Sequence, residues 1–254
     1  MIHSGIRLIA AERPGMGRSD FKPSRTLLDW TDDVSELADI LGIARFGVLG
    51  FSGGGPYAIA CAYRIPERLS AAVIVNGLGP LTIPNALAGL SSQHRLVFRL
   101  ARWAPWLLSL LLHQTTASLR GRTGRNESGA PPTAMPERDR LLIRQHPDLR
   151  QLLLRDMLDA FQQGTRGPVS EQRIYVTGWG FSPSAIHMPI HLWQGLKDIN
   201  VSPAMGRHLA QTLPNCRAHF CEDEGHISLI YNQREKILRP FLAQRTQVEN
   251  EGTL

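Results

Sequence analysis

The chain of 254 residues has no run of about 18 apolar residues, so no transmembrane helix is expected from the sequence. Lysine is nearly missing, present at Lys22, Lys197 and Lys236, and arginine carries the rest of the positive charge behind the formal +6. That charge is scattered, with a modest cluster from Arg95 to Arg125. There is no Lys/Arg-rich block, no zinc-finger spacing and no aromatic-basic RNA signature, so a solvated arginine surface is expected and no nucleic-acid partner. Cysteine is scarce too. Three cannot all pair, and Cys216 and Cys221, five apart in one expected strand, face opposite sides and cannot bridge. Reduced thiols in a cytoplasmic compartment fit best. The first residues lack the basic, apolar and small-residue blocks of a secretory signal. No histidine pair has zinc-ligand spacing with a third ligand in support, so no metal is expected. Gly 23 and Pro 17 are ordinary frequencies, which excludes collagen-like and low-complexity classes, and no internal repeat is present.

What is there alternates. Residues 6–12 read as a short buried strand running into a turn, Arg13-Pro14-Gly15-Met16-Gly17. Residues 29–41 read as a helix with an apolar stripe of Leu37, Ile40 and Leu41. Asp29, Asp32 and Asp33 sit in its first turns, where the helix dipole favours anions. Residues 46–49 form a second apolar run ending at Gly50, residues 54–64 a small-residue helix ended by Pro66, and residues 71–75 a third strand closing at Asn76-Gly77. Strand, helix, strand, helix, strand is the pattern of a parallel α/β sheet.

From about Pro80 to Ser184 the strands stop. Helical stretches are expected near 92–118, 137–146 and 148–163, with a Gly/Pro/Arg/Ser/Thr-rich loop from Gly121 to Pro136. The α/β pattern then returns, with a strand at 189–194, a helix at 203–213, a strand at 216–221 and a last helix at 232–245. The division expected is 1–79 and 186–254 as two parts of one α/β core, with 80–185 as a helical lid over a cleft.

The stretch 95–112 could serve either lid or membrane. Arg95, Arg99 and Arg102 share one helical face, and Leu96, Leu100 and Trp103 another, followed by Trp106-Leu107-Leu108. Such a helix can lie on a membrane surface. Pro105 interrupts the pattern, and the favoured expectation is a lid helix burying its Leu/Trp face, with no stable membrane insertion.

The chemistry-bearing motif is Gly50-Phe51-Ser52-Gly53-Gly54, a G-x-S-x-G pattern between an apolar run and a small-residue helix. Glycines are expected there because the turn is strained and a side chain would clash. Ser52 would stand at a helix N-terminus, with the Gly53 N–H as oxyanion donor. A serine hydroxyl needs a base, and the base an orienting carboxylate. Asp198 follows the strand at 189–194, and His226 follows the strand at 216–221, each at a strand's C-terminal end, where ligands gather in parallel sheets. The other eight histidines have no comparable setting.

These segments resemble the α/β-hydrolase fold family. Arg7 to Asp20 looks like its strand and R-P-G-x-G-x-S-D turn. Val48–Ala62, Pro189–Asp198 and Glu222–His226 are similar to its nucleophile, acid and histidine segments. The resemblance covers residues 6–79 and about 186–242 and is nearest to the esterase, aminopeptidase and C–C hydrolase group. It implies a mostly parallel sheet, Ser52 as nucleophile, His226 as general base, Asp198 as its orienter, a small-molecule substrate and no cofactor. Serine at position 52 argues against haloalkane dehalogenases, which have aspartate there.

One departure stands out. The family's sheet has two or three strands before the segment that begins here at Ile6, and an H-G loop with the second oxyanion N–H after the third. Neither that strand nor that loop is found here. The sequence therefore looks truncated at its N-terminus, or its start miscalled, with an expected gap near the middle of the sheet and unpaired backbone beside it. Two functions are compatible with the residues: a serine hydrolase of a small ester, amide or related carbonyl compound, and a non-catalytic relic or binding protein of the same fold.

Overall fold

A computed structural model describes residues 5–122 and 135–251. Its elements run α1 (Asp29–Ile40), β1 (Phe46–Phe51), α2 (Gly55–Arg64), β2 (Leu69–Val75), α3 (Ser92–Trp103), α4 (Pro105–Arg122), α5 (Glu137–Gln145), α6 (Pro147–Ala160), α7 (Arg166–Val176), β3 (Ile190–Gly195), α8 (Pro203–Thr212), β4 (Cys216–Cys221), α9 (His226–Asn232) and α10 (Arg234–Glu251). The four strands form one sheet in the order β1-β2-β3-β4, every pair parallel.

β2 lies in the interior of the sheet, and Ala72, Val73, Ile74 and Val75 are wholly buried. Its unbroken apolar sequence follows from cover on both faces. On one face α2 packs closely, because Ala58, Ala60 and Ala62 keep its surface low and bring Ile59 into the core. On the other, Val73, Val75 and Trp193 meet Leu229 of α9 and Ile237 of α10. The two faces together hold the C-terminal ends of β1, β3 and β4 along one edge.

Residues 6–12 do not form the expected strand. They have no regular structure, with Leu8 83% exposed and Ile9 42% exposed. A strand needs a neighbour to take its backbone hydrogen bonds, and among the described residues β1 is an edge that pairs with β2 alone. The following turn does form: Met16 N–H donates to Arg13 O, and Glu12 accepts from Arg18 N–H and Ser19 Oγ. Gly15, at φ +82°, packs so tightly on Gly167 of α7 that an added Cβ would lie 2.9 Å from the Gly167 Cα.

Other expectations shift as well. The α1 stripe is misplaced: Ile40 is 75% exposed and Leu41 lies past the helix end, while Thr31 and Ala38 are buried. The stretch 92–118 is two helices, broken at Ala104-Pro105 because proline removes a donor and crowds the preceding turn. Of the Leu/Trp face expected to be buried, Leu100 packs partly against the core while Leu96 and Trp103, with Trp106 beyond them, are exposed; Phe98, Ala101 and Leu108 are the buried positions. α7 went unread, although Val169, Ile174, Tyr175 and Val176 join the main core. Most of the Gly121–Pro136 loop lies outside the described residues. The last helix begins earlier than expected, as α9 and α10, and His226 opens α9. No described helix is long and apolar enough to cross a membrane.

Candidate active site

Ser52 follows the C-terminal end of β1 at φ +55°, a left-handed conformation that costs a non-glycine residue free energy. The short turn Ser52–Gly54 then leads into α2. The glycine expectation holds at one end of the motif and fails at the other. A Cβ at Gly50 would sit 2.5 Å from the Gly54 carbonyl oxygen and 2.8 Å from Ala58 Cβ, whereas one at Gly54 would meet nothing within 4 Å. Crowding therefore demands glycine before the serine and is indifferent two residues after it.

Asp198 lies in the turn after β3, 2% exposed. Its Oδ1 accepts from Asn200 N–H at 2.7 Å and Val201 N–H at 3.0 Å, and its Oδ2 lies 2.7 Å from His226 Nδ1. The His226 ring packs on Phe51, centroid to centroid 4.7 Å. Asp198 and His226 are thus in direct contact, and Ser52 is the residue next to the one on which the imidazole rests. Ser52 Oγ makes no hydrogen bond among the described residues.

Ser52 and Gly53 line a cavity of about 340 Å³ together with Arg13, His94, Glu171 and Tyr175. Phe98 and Phe161 line it too, whereas Trp103 and Trp106 point to solvent. Arg13, Arg25, Tyr57, Glu171 and Tyr175 form a buried network. Glu171 takes Arg25, the Tyr57 hydroxyl at 2.8 Å, the Tyr175 hydroxyl and, at 2.8 Å, Arg13 Nε. The Tyr175 hydroxyl also lies 2.9 Å from Gly53 O, a second acceptor for its one proton, which joins the network to the residue after Ser52. Burial alone would raise the Glu171 carboxyl; Arg13, then Arg25, with hydrogen bonds from Tyr175 and Tyr57, outweigh it and hold the group below its ordinary value.

Three residues that matter to this geometry escaped the sequence reading. Asp139 of α5 is fully buried, and its carboxylate accepts from the N–H groups of His226, Ile227 and Ser228 at 2.9, 3.2 and 2.9 Å. In sequence it is an ordinary acidic residue in a helix's first turn, and no local signal ties it to α9. Asn76, at φ +45°, donates from Nδ2 to Gly225 O and His226 O and accepts from Gly195 N–H, fastening the end of β3 to the histidine segment. An asparagine directly after a buried strand was its one available signal, since asparagine tolerates positive φ. His94 also corrects the expectation that no other histidine has a comparable setting. It lines the same cavity, its Nδ1 lies 2.8 Å from Ser91 Oγ, and burial, then the neighbouring His226, pushes its pKa down.

The cysteines are free thiols. Burial pushes Cys61 up to about 12 and Cys216 up to about 11, so neither is a ready thiolate. Among the described residues no group of three His, Cys, Asp or Glu side chains could hold a metal ion.

The family model for the alpha/beta hydrolase fold matches residues 3–233, and the chain belongs to that family. Over 80 residues it is 38% identical to a protein named putative carbamate hydrolase RutD from Caulobacter sp. (strain K31), a match covering 29% of this chain and 28% of that relative. Over 76 residues it is 40% identical to a homoserine O-succinyltransferase of Azoarcus sp. (strain BH72), covering 28% of this chain and 20% of that one. The chain thus matches under a third of the length of these curated relatives. Among solved structures it resembles a thermophilic esterase from Thermogutta terrifontis, at TM-score 0.60 and 20% identity over 91% of this chain and 77% of that one. An enol-lactonase from Burkholderia xenovorans LB400 matches at TM-score 0.58 and 22% identity, over 88% and 75% of the two chains. At these identities the structural likeness concerns the fold.

Proposed function

We infer that the protein is a serine hydrolase of small esters, amides or related carbonyl compounds. The observation that carries this reading is the 2.7 Å contact between Asp198 and His226 beside a serine held at positive φ. Ser52 Oγ attacks the carbonyl carbon, and His226 takes its proton. Asp198 holds the imidazole in the tautomer that presents Nε2 and stabilises the imidazolium. The Gly53 N–H, at the start of a helical segment, donates to the developing oxyanion. The acyl-enzyme forms as the leaving group takes the proton from His226, and water, deprotonated by the same imidazole, then releases the acid. The names of the RutD proteins and of the esterases support this class. A binding-only relic of the fold would gain nothing from a strained serine next to an oriented carboxylate–imidazole pair.

The division into an α/β core at 1–79 and 186–254 with a helical lid at 80–185 belongs to the same proposal. So does the cytoplasmic setting, supported by the three unpaired thiols. The test is labelling with a fluorophosphonate probe followed by peptide mapping. The label is expected on Ser52, and labelling at another serine, or at none, would overturn the assignment.

Asp139 is a positioning residue in this scheme. Its three hydrogen bonds fix the amino end of α9, and His226 is that end. Asp139→Ala should lower kcat about 10- to 100-fold, because a displaced base loses its attack geometry, while KM changes little. Loss of the helix cap should also cost about 2 kcal/mol of stability. Steady-state kinetics with thermal melts check both; a proportional rise in KM at unchanged kcat would contradict the positioning role.

A further inference from the structure

The ionic network beside the cavity carries a surplus positive charge. Glu171 supplies one negative charge, and Arg13 and Arg25 supply two positive ones. Both Glu171 oxygens are occupied: Oε1 by the Tyr175 hydroxyl and Arg13 Nε, Oε2 by Arg25 and the Tyr57 hydroxyl. Arg25 is enclosed, its side chain 2% exposed, and its other terminal nitrogen donates to the Tyr57 hydroxyl at 2.6 Å. Arg13 is different. Its Nε lies 2.8 Å from Glu171 Oε1 but off the hydrogen-bond axis, and its terminal nitrogens make no hydrogen bond among the described residues. Its side chain keeps 30% of its surface, against 2% for Glu171, and it lines the same cavity as Ser52.

Among the described residues nothing else lining the cavity cancels that charge. Glu171 is the one carboxylate among its described lining residues. Asp198, whose neighbours Asn200 and Val201 line the cavity, is already taken up by His226 and two backbone N–H groups. His94 is kept towards its neutral form by burial, and the Tyr175 phenol stays protonated for the same reason. The loop that presents Arg13 is itself fixed. Gly15 is seated on Gly167, and Gln163 Nε2 donates to Gly17 O and Ser19 O, both at 2.9 Å. The guanidinium is therefore held at the cavity wall, and among the described residues its terminal nitrogens have no hydrogen-bond partner. The same cavity is also lined by Leu78, Phe98 and Phe161, which suit hydrocarbon.

We propose that Arg13 binds a carboxylate of the substrate, so that the site takes small acyl compounds bearing a carboxylate besides the carbonyl that Ser52 attacks. A guanidinium edge matches a carboxylate by two parallel hydrogen bonds, a geometry that a point cation lacks. A cavity of about 340 Å³ is near the small end of ligand pockets, so the carboxylate and the reacting carbonyl belong to one short molecule. The proposal rests on the hydrolase reading for its chemistry and on the charge balance for its specificity.

The experiment compares 4-nitrophenyl hemiglutarate with 4-nitrophenyl pentanoate, acyl chains of equal length with and without the carboxylate. A second pair places the carboxylate on the alcohol side, as the pentanoate esters of 4-hydroxybenzoate and of its methyl ester. The wild-type protein is expected to favour the anionic member of at least one pair about tenfold or more in kcat/KM. Arg13→Gln is expected to lower that ratio about 10- to 100-fold, the loss typical of a charged hydrogen-bond partner. Equal or better turnover of the neutral member in both pairs overturns the proposal on the wild-type protein alone, even if the variant fails to fold. If no ester is turned over, the hydrolase reading fails and the carboxylate site is judged separately, by calorimetry of glutarate against dimethyl glutarate. Glutarate binding that weakens tenfold or more in Arg13→Gln, or in Arg13→Lys should the first variant not fold, supports the site. Glutarate binding no tighter than that of dimethyl glutarate, or unchanged by the substitution, overturns it.

Discussion

Ser52→Ala is expected to lower turnover of an activated ester by about 10⁴- to 10⁶-fold, the range seen when one member of a nucleophile–base pair is removed. The residual rate would come from the Gly53 N–H and from binding. The same change should leave the fold intact, with a melting temperature within a few degrees of the parent, because Ser52 Oγ has no hydrogen-bond partner among the described residues to lose. Ser52→Gly makes a sharper comparison. The native φ of +55° strains any L-residue, and glycine relieves it at no steric cost. The glycine variant should therefore be as inactive as the alanine variant but more stable by about 1 kcal/mol. A stability gain with total loss of activity is the mark of strain retained for function. Activity in either variant within tenfold of the parent would remove Ser52 from the mechanism.

The second large effect concerns Glu171. Glu171→Gln removes the charge that compensates Arg13 and Arg25 and keeps nearly the same volume. Breaking a buried pair in this way commonly costs about 3–5 kcal/mol, since the remaining charge stays desolvated. For a domain of this size that corresponds to a fall of about 6–20 °C in melting temperature. The pH dependence identifies the cause. Glu171 titrates below its ordinary 4.5 in the folded protein. A depressed folded pKa gives stability that is fully present above the unfolded value and lost as pH falls through the folded one. The parent should begin to lose this contribution as pH falls below about 4.5 and lose it progressively towards the lower folded value, while Glu171→Gln should be already weakened at pH 7 and show a flatter acid limb. Chemical denaturation at pH 7 and pH 4 separates the two. A variant as stable as the parent at pH 7 would show that the network is not compensating buried charge.

The parts of the protein legible in sequence share one property: their signal is local. The strands expected at 46–49, 71–75, 189–194 and 216–221 each formed within one or two residues, and the clearest of them, the unbroken apolar run of β2, is what a strand covered on both faces of a parallel sheet requires. Pro105, which interrupts the pattern in sequence, also divides the stretch into α3 and α4, since the clash of its ring acts within one turn. Ser52 could be singled out because glycine at position 50 answers a contact only four residues away, with the Gly54 carbonyl.

Where the reading failed, the deciding partner was far along the chain. Residues 6–12 have the composition of a strand, but strand formation depends on a neighbour, and none pairs with them among the described residues. Leu96, Trp103 and Trp106 have a helical stripe's spacing, but burial depends on what lies opposite, and solvent does. Amphipathic spacing identifies a face and not its partner.

The sequence by itself determined the fold family and the strand order in the chain, and it pointed to the four residues of the proposed mechanism, Ser52, Gly53, Asp198 and His226, because each stands just past an expected strand. Only the tertiary structure decided that Asp198 and His226, 28 positions apart in sequence, touch, that Asp139 of α5 anchors the histidine, and that Arg13 reaches Glu171 with a charge to spare. Those are contacts between groups whose chemistry is ordinary and whose distance in sequence is large. Their meaning comes from burial, where an unpaired charge or donor is costly, and burial is a property of the folded chain.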